Sequence, residues 1–89
     1  MGDVVGCFRW NPAVSCRTLD GTAFILLKSR MVSLNEVGTF IWERLEKGAE
    51  LEAIVTLVVE TFETTCDTAR RDAHEFARVL IDKEMLIRC

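Results

Sequence analysis

The chain has 89 residues, of which 49% are hydrophobic, and its mean hydropathy is +0.19. That suffices for one core and is too little for two. Acidic residues outnumber basic ones by 14 to 11, and the formal charge of −3 argues against a polyanion as the main ligand. No stretch approaches the roughly 20 apolar residues that a membrane span requires. The start, Met1 to Cys7, has no basic segment, no long apolar run, and glycine where a myristoylation signal needs Ser or Thr at position 6. The expectation is a soluble cytoplasmic protein.

Residues 1–12 read as a flexible N-terminal segment ending in Asn11-Pro12, and residues 13–89 as the folded domain. Ala13–Leu19 alternates, with Val14, Cys16 and Thr18 on one side. Asp20-Gly21 follows, a pair that accepts the positive φ of a tight hairpin. Thr22–Leu27 returns, Lys28-Ser29 turns the chain again, and Arg30–Ser33 makes a short third strand. Ser33-Leu-Asn-Glu36 fits a capping box. Leu34, Val37, Ile41 and Leu45 then share a helical face that ends at Lys47-Gly48. A second helix spans roughly residues 50–62, with Leu51, Ile54, Val55, Val58 and Phe62 as its stripe. Asp67 or Thr68 caps a third helix that continues to about Glu84. Ala69, Ala73, Phe76 and Leu80 form its core stripe, with Val79 beside it. Arg70, His74, Ala77 and Ile81 form a neighbouring stripe. Met85-Leu86-Ile87 closes the domain as a tail or short strand. The order β-β-β-α-α-α defines an α+β fold: an N-terminal three-stranded antiparallel sheet followed by three helices, winged helix-turn-helix-like.

The four cysteines, Cys7, Cys16, Cys66 and Cys89, contain no C-x-x-C pair, and the one histidine is distant from them in sequence. No metal and no cofactor are expected. In a cytoplasmic chain the thiols read as reduced, inert side chains. No nucleophile–base constellation and no glycine-rich phosphate loop appears, so no catalytic residue is assigned.

Arg30-Met-Val-Ser-Leu-Asn-Glu-Val-Gly-Thr-Phe-Ile-Trp-Glu-Arg-Leu45 resembles the signature of the PqqD-like family. The break at Gly48, the apolar pattern Leu51-Glu-Ala-Ile-Val55, the set Asp72, Phe76 and Leu80, and the closing Leu86-Ile87 follow in the family's order. The resemblance covers about residues 13–88. It implies a peptide-recognition module of ribosomal peptide natural-product pathways. Such a module binds the leader of a precursor peptide and holds it for a partner modifying enzyme, often a radical-SAM enzyme. It also implies that the leader adds as an antiparallel strand to the third strand, with apolar side chains entering a groove between that strand and the third helix. Where the pyrroloquinoline-quinone branch shows Cys-Asp-Gly after the first helix, this chain has Glu46-Lys47-Gly48.

The residues support such a site independently. An edge strand offers unpaired amides and carbonyls for strand addition. Arg30, Met31, Val32 and Ser33 are the candidate edge. On the third helix Arg70, Ala73, His74, Ala77, Leu80 and Ile81 are the candidate groove face. Its alanines leave a shallow trough, unless they serve close helix packing instead. Arg30, Arg70 and Arg71 can pair with acidic peptide residues. Two alternatives stand beside peptide binding. A winged-helix DNA-binding regulator has the same element order. However, residues 1–34 carry +2, residues 35–66 carry −5 and residues 67–89 carry 0. The acidic middle, with Glu50, Glu52, Glu60 and Glu63 along the second helix, does not suit a phosphate groove. A self-associating structural subunit, such as a homodimer through the edge strand, is the second. Neither nucleic acid nor membrane is an expected partner.

Overall fold

The computed structural model describes residues 6–89. Residues 1–5, and with them the reading of the N-terminal start, lie outside the described residues. The elements run β1 (Cys7–Trp10), β2 (Ser15–Leu19), β3 (Thr22–Leu27), β4 (Arg30–Ser33), α1 (Glu36–Arg44), β5 (Ala49–Glu50), α2 (Leu51–Phe62), α3 (Cys66–Asp82) and β6 (Leu86–Arg88). The fold is α+β, with three helices and two antiparallel three-stranded sheets ordered β2-β3-β4 and β5-β1-β6.

The first sheet follows the sequence reading. Asp20 and Gly21 both have positive φ, 53° and 78°, as a two-residue hairpin turn demands. Ala23, Ile25 and Leu27 of β3 are buried, because alternate side chains of this central strand face the helices. Thr39 of α1 ties sheet to helix, its buried hydroxyl accepting the amide of Ala23 at 2.9 Å. The core joins Ile41, Trp42 and Leu45 to Leu51, Ile54, Val55 and Val58 of the α2 region and to Ala69, Ala73, Ala77 and Leu80 of α3. No described helix is long and apolar enough to cross a membrane.

Helix caps depart from the capping-box reading. Asn35, not Ser33, caps α1, accepting the amide of Gly38 at 2.8 Å. Ser33 is still in the strand, so it cannot also turn the chain into the helix. Thr65 caps α3 by accepting the amide of Thr68 at 3.1 Å, so Asp67 and Thr68 already lie inside the helix. At these positions Ser, Thr, Asn and Asp all cap well, and the chain path chooses among them.

The larger correction concerns residues 7–12, read as part of a flexible segment. β1 is the central strand of the second sheet, and Phe8 is completely buried. Trp10 stacks on Trp42 with ring centroids 4.4 Å apart and donates its Nε1–H to the Trp42 carbonyl at 2.8 Å. The Asn11 amide donates to the Met85 carbonyl, and its side chain to the Glu84 carbonyl. Strands of two to four residues are too short to show periodicity, and their partners lie at the other end of the chain.

The same closure corrects the cysteine reading. Cys7 and Cys89 are joined by a disulfide, while Cys16 and Cys66 are free and exposed. Cys89 donates its amide to the Cys7 carbonyl at 3.1 Å, and the two Cα atoms are 5.4 Å apart, within the range a disulfide spans. The pair is separated by 82 positions, so spacing rules could not reveal it. The bond closes nearly the whole chain into a loop and thereby restricts the unfolded state. Reduction is expected to cost about 2–4 kcal/mol of stability. Urea melts with and without reductant would measure it, and Cys7→Ser should match the reduced native chain. Coincident melts would show that the bond adds nothing.

Candidate functional site: an open edge strand beside a groove

β4 is the last strand of its sheet, and no described strand pairs with its outer edge. Leu27 and Arg30 flank a two-residue turn, which sets the register Leu26 to Met31, Ile25 to Val32 and Phe24 to Ser33. The amide of Leu34 donates to the Ala23 carbonyl at 2.9 Å. In an antiparallel ladder, main-chain groups of successive residues point alternately to the two sides. Val32 and Leu34 therefore bond toward β3, and Met31 and Ser33 direct their amides and carbonyls off the open edge.

A groove of about 430 Å³ runs along this edge. Val32, Ser33, Leu34 and Asn35 form one wall, and Val37, Gly38 and Ile41 of α1 contribute the floor. Asp72, Glu75, Phe76, Val79 and Leu80 of α3 form the opposite wall. The lining is apolar apart from Ser33 and Asn35 at one side and two carboxylates at the other. A Cβ added at Gly38 would come within 3.2 Å of the Asn35 side-chain oxygen and 3.3 Å of the Leu34 Cβ, so glycine there leaves the α1 cap undisturbed.

The structure brings Val32, Ser33 and Leu80 of the sequence-selected set into this groove. Met31 is 69% exposed and stands on the sheet face turned away from the helices, beside Leu26. Arg30 is exposed at the turn end of β4. Ala73 and Ala77 are fully buried, so the alanine row serves close helix packing and forms no trough. Ile81 is half-buried against the core. Arg70 and His74 lie on another face of α3, around a second depression of about 320 Å³ with Asp67, Arg71, Glu75 and Arg78. Only Glu75 borders both.

Sequence reasoning missed Leu34, Asn35, Val37, Gly38, Ile41, Asp72, Glu75 and Val79 as groove residues, and it placed Phe76 in the core. A signal was present. Asp72, Phe76 and Val79 stand at i, i+4 and i+7, the face next to the buried Ala69-Ala73-Ala77-Leu80 stripe. Trp42 is buried.

At the second depression Arg70 and His74 are paired within the fold. The Arg70 guanidinium meets the Glu52 carboxylate at 3.2 Å, and His74 Nε2 lies 3.1 Å from its other oxygen. An ionised carboxylate only accepts, so His74 donates there. The hydrogen bond from Arg70, then that from His74, holds the Glu52 carboxyl below its usual 4.5, and Glu52 in turn raises Arg70. A lowered folded-state value contributes stability above the unfolded value and loses it as pH falls through the folded one. Glu52→Gln should therefore be less stable at neutral pH, with the gap closing below pH 4.5. Both partners are about half exposed and screened by solvent, so that gap is small. Urea midpoints across pH 3–7 would measure it, and a gap that widens on acidification would contradict the assignment. Among the described residues no group of three or more His, Cys, Asp or Glu is placed to hold a metal.

The class defined is an α+β domain of winged-helix-like order with an open edge strand along an apolar groove. A sequence model described as coenzyme PQQ synthesis protein D (PqqD) matches residues 18–86. The chain belongs to the PqqD family. Among solved structures it is similar to TbiB1 in complex with the TbiA(beta) leader peptide, at 30% identity and a TM-score of 0.81. That match covers 88% of this chain and 93% of the other. No curated protein matches the chain.

Proposed function

We propose that this protein is a non-catalytic module that binds the leader of a ribosomally made precursor peptide and presents it to a partner modifying enzyme of the radical-SAM kind. The leader adds as an antiparallel strand to the open edge of β4, using the outward amides and carbonyls of Met31 and Ser33. Its apolar side chains enter the groove between β4, α1 and α3. The observation that carries this reading is the unpaired edge running along the groove wall: main-chain pairing supplies affinity, and the groove supplies selection. Family membership and the similarity to a protein solved with a leader peptide support it.

The test is a titration of isotope-labelled protein with the leader region of a precursor encoded nearby. Amide shifts concentrated on Arg30–Ser33 and on the Asp72–Leu80 face are expected. Shifts confined to the β2 edge or the second depression would discard this site. No shift at concentrations well above micromolar would discard peptide binding.

A further inference from the structure

The outer face of the β2-β3-β4 sheet carries an apolar row that no described residue covers. Leu26 and Met31 are directly opposite each other in the ladder and are 46% and 69% exposed. Their row continues to Ser15 on β2, whereas on the open side of β4 it simply ends. The adjacent row is different, since Ser33 stands opposite Phe24 and presents a hydroxyl at the edge.

Resting on the peptide-binding reading, we infer that Met31 reads a side chain of the bound strand on the sheet face away from the groove, and that this side chain is large and apolar. Directly opposite residues of an antiparallel pair share a face. The peptide residue opposite Leu34 and the one opposite Val32 both point to the groove side. The one between them, opposite Ser33, points outward beside a hydroxyl. The next residue, opposite Met31, points outward and extends the Leu26–Met31 row. Met31 and Ser33 turn their main-chain groups to the edge, so the peptide residue facing Met31 sits in a hydrogen-bonded pair, directly opposite it and fixed in register. Read from its N-terminus, the recognised segment is apolar, any residue, apolar, apolar. Simple alternation, which a one-sided groove alone would select, predicts a polar or indifferent fourth position.

Selection of phage-displayed random dodecapeptides on the immobilised full chain, and on Met31→Glu, tests this. Met31 is exposed, so the variant should melt with the native chain. The native chain should enrich the four-residue pattern. Met31→Glu should keep the first and third positions and replace the fourth with Lys or Arg. In a selected peptide, changing the fourth residue to Ser should weaken binding about two- to fivefold on the native chain and leave Met31→Ser unaffected. A fourth position that is polar on the native chain, or unchanged by Met31→Glu, overturns the inference while the two groove positions uphold peptide binding. Enrichment of no sequence on the native chain overturns both.

Discussion

A chain carrying Val79→Asp is expected to fold as the native one does and to lose leader binding by at least about tenfold. Val79 is 46% exposed on the α3 wall of the groove, so its replacement removes little buried surface and should move the unfolding midpoint only slightly. In the occupied groove the same position loses its water. A carboxylate there finds the apolar side chains of the peptide and no cation among the residues that line the groove, and Asp72 and Glu75 on the same wall add like charge. An uncompensated polar group costs about 1–3 kcal/mol, and a charged one more. Calorimetric titration of native chain and variant with the same leader peptide measures the loss. Arg71→Gln, at the second depression, also lowers the net charge by one, is the matching control and should bind within about twofold of native, since about 1.4 kcal/mol is needed for a tenfold change. Equal losses in both variants would mean that overall charge, and not the groove, governs binding.

Phe8→Ala should be the most destabilising of the substitutions considered, by about 3–5 kcal/mol. The ring is fully buried in the central strand of the second sheet. Its truncation leaves a cavity that the surrounding core residues, some of them from the far end of the chain, cannot all collapse to fill. Against a total stability of about 5–15 kcal/mol, this is enough to bring the chain near unfolding. For the same reason a shortened chain beginning at Ala13 should not fold cooperatively. A urea melt of each decides it. A Phe8→Ala cost below about 1 kcal/mol would mean that residues 7–10 are a detachable arm after all.

The two expectations separate what binds from what holds the fold. The groove walls belong to β4, α1 and α3, which the 18–86 family match contains entire. The β1 strand and the Cys7–Cys89 bond lie outside it. They act at a distance from the groove by closing the second sheet.

Local signals in the residues were enough for the β2-β3-β4 meander and the three helices. Asp20-Gly21 forces its turn, the alternation through Ala23, Ile25 and Leu27 faces one strand side inward, and the apolar stripes of α2 and α3 have the helical period. The Arg30–Leu45 stretch carried the family resemblance, and the open third strand followed from its place in the order. Tertiary structure alone decided three matters. It turned the alanine row of α3 inward, because small side chains serve close helix packing as well as they serve a trough, and only the position of α2 chooses. It put Phe76 and Val79 on the groove and Met31 on the opposite sheet face, because a helix stripe or a strand side has no meaning until the layer covering it is placed. It joined Cys7 to Cys89 and made β1 a central strand, because such contacts join residues remote in sequence, and short strands leave no periodic trace of them.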